Sequence, residues 1–291
     1  MSANKKRLSE QRIEYYGKCT FAKDAPGDTI AQDFYERLKT FRANSTSDRL
    51  VVSDEDLCHN RNDIFYTLVC NYSNEFNIKI VCYIREVVSY CISFYSFAAI
   101  WLCNRDSSPA FRNFVEYLDR QKAYIATYDL LTKLAKVLPN EDVIVRPFNF
   151  SQFREKKIDN DFFDILNVDA TLFQSVEVQN ISPTLKQAEK IYYVLSITSN
   201  RHVRVRARDL ILQIRDECGP SITKDELDAV YERYRDYEMK IQRAFFNRGN
   251  EEQRYGRTYA RWIQKIDGQE ERVLNASEKH RILAAASLCV V

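Results

Sequence analysis

The stretch Ile78-Lys79-Ile80-Val81-Cys82-Tyr83-Ile84-Arg85 holds the strongest strand signal of the chain. Its apolar residues are mostly β-branched or aromatic, the types that pack well in a sheet. An uncharged run from Val87 to Asn104 follows at once, and it is too short and too rich in serine and tyrosine for a comfortable bilayer span. We therefore expect a strand that leads directly into a buried helix.

Three further short apolar runs predict strands: Ile13–Gly17, Leu50–Ser53 and Val143–Phe148, the last ended by its proline. Apolar residues at helical spacing separate these runs, for example from Ile64 to Tyr72. Such alternation predicts an α/β domain, with a parallel sheet covered by helices on both faces. From Asn160 onward the pattern is largely helical.

The composition fits one sizeable domain, and we expect residues 1–291 to form a single one. Lys and Arg number 43 against 41 Asp and Glu, a net charge of +2. That balance does not indicate a protein that binds nucleic acid or a membrane surface through its overall field, so any anion binding has to be local. The longest apolar segment predicts no membrane span.

The eight cysteines contain no Cys-x-x-Cys pair and mostly lie in apolar runs, so we expect them to be reduced and structural. The first residues, from Met1 to Arg7, are basic but precede no apolar stretch, and no secretory signal is expected. A cytoplasmic location follows as the prediction. His202 and His280 have no cysteine, histidine or acidic partner at metal-ligand spacing, so no zinc site is predicted.

Arg85 closes the predicted strand, and Ser93 follows eight residues later on the next helix. Ligands of open α/β sheets bind at the carboxyl ends of the strands. An arginine there can hold a phosphate through its planar fork, and a hydroxyl two helical turns on can add a hydrogen bond. The alternative is that Arg85 starts the helix paired with an acid and Ser93 is a packing residue.

This strand, arginine and serine arrangement resembles the 3′-phosphate-binding motif of the sulfotransferases that use 3′-phosphoadenosine 5′-phosphosulfate (PAPS). The resemblance implies a P-loop NTPase-like parallel sheet flanked by helices, with a mostly helical C-terminal half. It also implies that Arg85 and Ser93 bind the 3′-phosphate of PAPS.

Further segments resemble the bacterial polysaccharide and carbohydrate branch of this family, and they occur in the expected order. They are Leu50 to Leu57, similar to a strand ending in Ser-Ser-Glu, then Arg146-Pro147-Phe148 with the later Asp161-Phe162, then Asn180-Ile-Ser182-Pro-Thr184-Leu185. Asp54 and Thr184 replace serines of the family pattern. Together these segments extend the resemblance from roughly Leu8 to Phe246.

The family's 5′-phosphosulfate-binding loop, a Lys-Thr-Gly-Thr-Thr-like turn after a buried strand, has no counterpart in this sequence. None of the six glycines lies in a Lys-x-Gly context. Residues Met1 to Gly17 resemble the second half of the family's first helix and the strand after it. We therefore hypothesise that Met1 is an internal methionine and that a strand and a loop precede it.

The resemblance implies a base that takes a proton from the acceptor, and Glu55 and His59, after the second strand, are the candidates. The alternatives are a helix N-terminal acid for Glu55 and a solvated loop histidine for His59. The implied function is sulfuryl transfer from PAPS to a carbohydrate hydroxyl or amine, impaired without the loop. The alternative is a catalytically inactive nucleotide- or glycan-binding protein of the same fold.

Arginines alternate with small or apolar residues from Arg201 to Arg208. If extended, this segment would present a row of cations to an acidic glycan or a nucleic acid. A solvated face before a helix is the other interpretation, and no aromatic residues interleave for base stacking. A P-loop-like kinase or nucleic-acid-binding domain stays an alternative on this feature alone, and oligomeric state is not predicted.

Overall fold

The structure is a computed structural model that describes residues 5–17, 27–53, 62–103, 123–148, 153, 155, 157–173, 183–213 and 223–246. It is a mixed α/β chain in which helices predominate, and the backbone contacts group it into two units. Unit 1 comprises residues 1–84 and 123–178, and unit 2 comprises residues 85–122 and 179–291. Each unit is described by itself.

Unit 1 contains short strands and the helices between them. Its elements are α1 (Lys5–Glu10), β1 (Ile13–Gly17), α2 (Gly27–Asn44), β2 (Arg49–Ser53), α3 (Asn62–Tyr72), β3 (Ile80–Ile84), α5 (Ala123–Leu134), β4 (Val143–Pro147) and α6 (Ile158–Ile165). Unit 2 is helical where it is described. Its elements are α4 (Val87–Leu102), α7 (Leu185–Ile197), α8 (Arg201–Gln213) and α9 (Lys224–Ile241), which continues as a π-helical turn over Gln242–Phe246.

The strands form two parallel pairs. β1 pairs with β2, with Ile13 opposite Arg49, and β3 pairs with β4, with Ile80 opposite Val143. Each pair is joined by a crossover that contains a helix, as parallel strands require. The four predicted strands and their parallel direction are confirmed, but within the described residues they form two sheets of two strands.

Helices α2, α3 and α5 form a row in unit 1, because α3 contacts both of the others. A separate core joins the first strand pair to α6. It consists of Leu8, Ile13, Val51, Phe163, Val168 and Phe173. The rings of Phe163 and Phe173 stack with their centroids 4.1 Å apart. The apolar alternation of β1 and β2 therefore buries one face of that pair, as predicted for strands next to a core.

Helix α4 organises unit 2. One side of it is buried against α7 and α9, and Tyr192 of α7 stacks on Tyr95 with centroids 4.5 Å apart while its hydroxyl donates to the Tyr95 carbonyl at 2.9 Å. The predicted buried helix is thus confirmed. Among the described helices none is both long and apolar enough to cross a bilayer.

The cysteines in the described residues are thiols that take part in no disulfide: Cys70, Cys82, Cys91 and Cys103. Cys91 and Cys103 are buried on α4 or directly after it, and burial raises the pKa of both thiols, that of Cys103 to about 11. These two are therefore neutral, apolar packing groups at physiological pH, in line with the structural role expected from the sequence.

The segment from Arg201 to Arg208 is helical, so the alternative in which it is extended and presents a row of arginines does not hold. Arg204 is fully buried, and its guanidinium donates to the carbonyls of Thr198 at 2.5 Å and Leu195 at 3.3 Å. It thereby satisfies acceptors at the C-terminal end of α7, where helix carbonyls lack partners. Arg208 pairs with Asp209 at 2.7 Å. The arginines serve different structural purposes and form no common anion-binding face.

Replacing Arg204 by alanine is expected to destabilise the protein by about 2–4 kcal/mol. The substitution leaves the carbonyls of Thr198 and Leu195 without this donor and opens a cavity. Arg206→Ala is the matched control, because Arg206 is exposed on the same helix and should change stability by less than about 0.5 kcal/mol. Urea unfolding followed by circular dichroism compares the two. Equal effects of both substitutions would contradict the capping role of Arg204.

Candidate functional site

The start of α4 is fixed by an acidic cap. Glu86 has an extended backbone, with φ −56° and ψ 142°, and its carboxylate accepts hydrogen bonds from the amides of Val88 and Ser89, both at 2.9 Å. The side chain is buried, with 7% of the residue exposed. Sequence reasoning missed this residue, because glutamate is not among the preferred N-cap residues, although acids are enriched near helix starts.

Burial raises the pKa of the Glu86 carboxyl above its ordinary value, and the hydrogen bonds from Ser89 and Val88 only partly oppose that shift. The carboxyl is desolvated, yet it is held at a helix N-terminus where a negative charge is favoured. Ionising the cap therefore costs free energy, and the two amide hydrogen bonds offset part of that cost. The cap determines both where α4 begins and how the residue before it is oriented along the backbone.

Arg85 lies between the last residue of β3 and this cap. It is partly buried, and burial lowers the pKa of its guanidinium, which still stays protonated at physiological pH. Removing water from a cation strengthens its attraction to an anion that reaches it. The predicted placement, an arginine at the carboxyl end of a parallel strand and directly before a helix, is what the structure describes.

Ser93 lies on α4, two helical turns from its start and about 9 Å along the axis from Val87. It is partly buried and lies on the side of α4 opposite the one that packs against α7 and α9. Arg85 and Ser93 thus belong to one short segment of unit 2. The segment from Arg85 to Cys103 contains just two charged residues, Arg85 and Glu86.

A second polar cluster lies at the carboxyl ends of β3 and β4 in unit 1. The Tyr83 hydroxyl donates to Asp161 Oδ2 at 2.8 Å, and Tyr83 is the register partner of Arg146. Burial, followed by the Asp161 hydrogen bond, raises the pKa of Tyr83, so the phenol stays a neutral donor. The structure therefore brings Arg146 and Asp161, from two separate sequence segments, to one tyrosine.

Aromatic packing supports this cluster. Phe153 meets the Tyr83 ring edge-on with centroids 5.7 Å apart and the Phe148 ring at 5.9 Å. The amide of Phe148 donates to the Ile84 carbonyl at 2.6 Å, which continues the pairing just beyond β4. These contacts fix α6 to β3 through Asp161. Arg146 itself is exposed.

The other predicted site residues have different outcomes. Glu55 and His59, predicted as the base, lie outside the described residues, as do Asn180 and Ser182. Thr184 caps α7 in a reciprocal pair with Gln187, with hydrogen bonds of 3.2 and 2.9 Å, so its described contacts are those of a helix cap. Within the described ranges no three His, Cys, Asp or Glu side chains converge as metal ligands.

Comparison with family models, with curated proteins and with solved structures found no match to this chain. The proposed function is therefore inferred from the residues and geometry of the chain itself.

The Glu86 cap is expected to make stability depend on pH. Because its folded pKa lies above the unfolded one, folding favours the protonated carboxyl, and this residue's contribution falls as pH rises through the interval between the two values. In Glu86→Gln that term is absent. The stability of Glu86→Gln minus that of the wild type should therefore increase with pH above about 4.5, measured by urea unfolding at several pH values.

Glu86→Ala is the companion variant. It removes the hydrogen bonds as well as the charge and is expected to cost about 0.5–2 kcal/mol, with the larger cost at the lower pH. A stability difference between Glu86→Gln and wild type that is flat or declines with pH would contradict the buried, desolvated cap.

Proposed function

We propose that this chain is a sulfotransferase-like protein whose donor site lies at the start of α4, where Arg85 and Ser93 bind the 3′-phosphate of PAPS. One observation carries the proposal: a partly buried arginine stands between a parallel strand and the capped N-terminus of a helix. That place is where open α/β folds bind anionic ligands.

The cap decides which groups would hold the phosphate. Helix N-terminal amides often bind phosphate directly, but here Glu86 already accepts from the amides of Val88 and Ser89. The guanidinium of Arg85 therefore supplies the charge-assisted hydrogen bonds in this proposal, and the Ser93 hydroxyl supplies a neutral one. Arg85 has to provide most of the affinity, because Glu86 adds a negative charge nearby.

A P-loop NTPase-like sheet is part of the same proposal. We infer that the two strand pairs are parts of one parallel sheet. Two features support this: both pairs run parallel, and α2, α3 and α5 form a continuous row. A two-stranded sheet is also marginally stable by itself, so additional strands would be favourable.

In the proposed reaction, Glu55 or His59 takes the proton of a carbohydrate hydroxyl or amine as that group attacks the sulfur of PAPS. A new bond forms between the acceptor atom and sulfur, and the bond from sulfur to the bridging phosphate oxygen breaks. Adenosine 3′,5′-bisphosphate leaves with the negative charge. Arg85 and Ser93 take no part in proton transfer and hold the donor in position.

Binding without catalysis is the second candidate function. It is favoured by the lack of any glycine in a Lys-x-Gly context, since a glycine-rich loop normally offsets the charge at the transferred group. An inactive nucleotide- or glycan-binding protein would keep Arg85 and Ser93 but would release no sulfated product.

Calorimetric titration with adenosine 3′,5′-bisphosphate tests the donor site. Arg85→Ala is expected to weaken binding by about 10- to 150-fold, because it removes hydrogen bonds from a charged donor worth about 1.5–3 kcal/mol. Ser93→Ala should weaken it about two- to tenfold. Arg85→Lys should fall between, since it keeps the charge and loses the fork.

Arg206→Ala controls for the general loss of a positive charge, because Arg206 is an exposed arginine of the same unit. Binding that is equally weakened by Arg206→Ala and Arg85→Ala, or no binding by the wild type, would overturn the donor-site proposal.

A further inference from the structure

The outward side of α4 is an uncharged face rich in aromatic residues. The buried residues of the helix lie on one side, and the residues that repeat every three or four positions on the other side remain partly or largely exposed. We call this the aromatic face. It consists of Tyr90, Phe94, Phe97 and Trp101, with Ser93 at its edge.

The exposed part of this face is large for single side chains. Phe97 is 51% exposed and Trp101 is 42% exposed, one helical turn apart. The rings of Tyr90 and Phe94 stack with centroids 5.7 Å apart and planes 8° from parallel. Aromatic rings therefore follow one another along the helix at a rise of about 6 Å per four residues.

Other helices of unit 2 show what an ordinary solvent face looks like here. The exposed positions of α9 are nearly all charged, among them Glu232, Arg235 and Asp236. That is the usual pattern for a helix that covers a core. The aromatic face departs from it, since none of its residues carries a charge. A row of exposed, uncharged aromatic rings can stack against the apolar face of a ligand.

We propose that the aromatic face binds a neutral saccharide chain, with sugar rings stacked on Phe97 and Trp101. A sugar ring presents apolar C–H groups to the electron-rich face of an aromatic ring, and its hydroxyls need donors and acceptors at the edge. Serine hydroxyls both donate and accept. The lack of charge means that no ion loses its water when the sugar binds.

The size of the surface favours a saccharide over a second copy of the chain. Fully exposed, the two rings would offer about 150–250 Å² each, so their exposed parts together offer roughly 200 Å². A stable protein interface needs about 800 Å² on each partner. Roughly 200 Å² is enough to stack two sugar rings but is a small part of a dimer contact.

This inference rests on the proposed function, because it places the carbohydrate acceptor on α4, the helix that begins at the donor site. The face and the donor site share α4, with Ser93 belonging to both, so a saccharide stacked here lies along the segment that carries Arg85. The stacking residues would position the acceptor and take no part in the transfer itself.

Tryptophan fluorescence tests the proposal directly. The chain has two tryptophans, Trp101 and Trp262, so the Trp262→Phe protein reports on Trp101 alone. We expect maltohexaose, cellohexaose or chitohexaose, titrated without nucleotide, to shift its emission to the blue with saturation. Adding Phe97→Ala should weaken that binding about three- to tenfold, the loss of one aromatic contact.

Leu172→Ala is the matched control, since Leu172 is a 44% exposed apolar residue of unit 1 and should leave the titration unchanged. The proposal is overturned if no hexasaccharide shifts the emission, if adenosine shifts it as strongly as the sugars do, or if Phe97→Ala instead dissociates an oligomer in light scattering.

Failure of the donor site is distinguishable from failure of this surface. If sugars shift the emission but adenosine 3′,5′-bisphosphate does not bind, the donor-site proposal is overturned and the glycan-binding face is supported. If the nucleotide binds through Arg85 but no sugar shifts the emission, the proposal for the aromatic face is overturned and the donor site is supported.

Discussion

The two hydrogen bonds that the Glu86 carboxylate accepts from Val88 and Ser89 are the constraint on which both proposals depend. They fix the residue at which α4 begins, directly after β3 and Arg85. The same helix buries one side against α7 and α9 and leaves the aromatic face on the other. A slip of the sequence by one residue along α4 would rotate every side chain of the helix by about 100°, which would move Ser93 and Phe97 off the outward side.

Few charged groups lie near the start of α4 in the chain. Burial raises the pKa of Cys91 and of Tyr95, so both stay neutral at physiological pH, and α4 itself contains no charged residue. Arg85 and Glu86 are therefore the only charges between the end of β3 and Cys103. Because water is partly removed from Arg85, an anion that reaches it encounters little competition from solvent. An uncharged helix that starts with one arginine can combine anion binding at its start with neutral stacking along its length.

The strands and α4 were predictable because each depends on a local pattern. Apolar β-branched runs defined β2, β3 and β4, and an uncharged run defined α4. The segment Arg201 to Arg208 was not predictable in the same way, since alternation over eight residues favours a strand whereas this segment is a helix. In the helix, the Arg204 guanidinium reaches the carbonyls at the end of α7. Burial of an arginine depends on such tertiary acceptors, which sequence does not display.

The site itself was predictable in part. Arg85 was identified from its place after a strand. Glu86 was missed as the helix cap, because glutamate is not one of the residue types preferred at that position. The cluster of Tyr83, Arg146 and Asp161 needed the register of β3 against β4, which depends on tertiary pairing. Glu55 and His59 stay predictions, because they lie outside the described residues.

Hydrogen exchange read by mass spectrometry tests the central claim, that an anionic nucleotide binds at the start of α4. With saturating adenosine 3′,5′-bisphosphate, we predict slower exchange of amides within residues 87–93, because the ligand would hold the first turns closed. Exchange in α8, which contains Arg201 and Arg206, should not change. Slower exchange in α8 with none at the start of α4 would contradict the account and return the anion site to the arginines of α8.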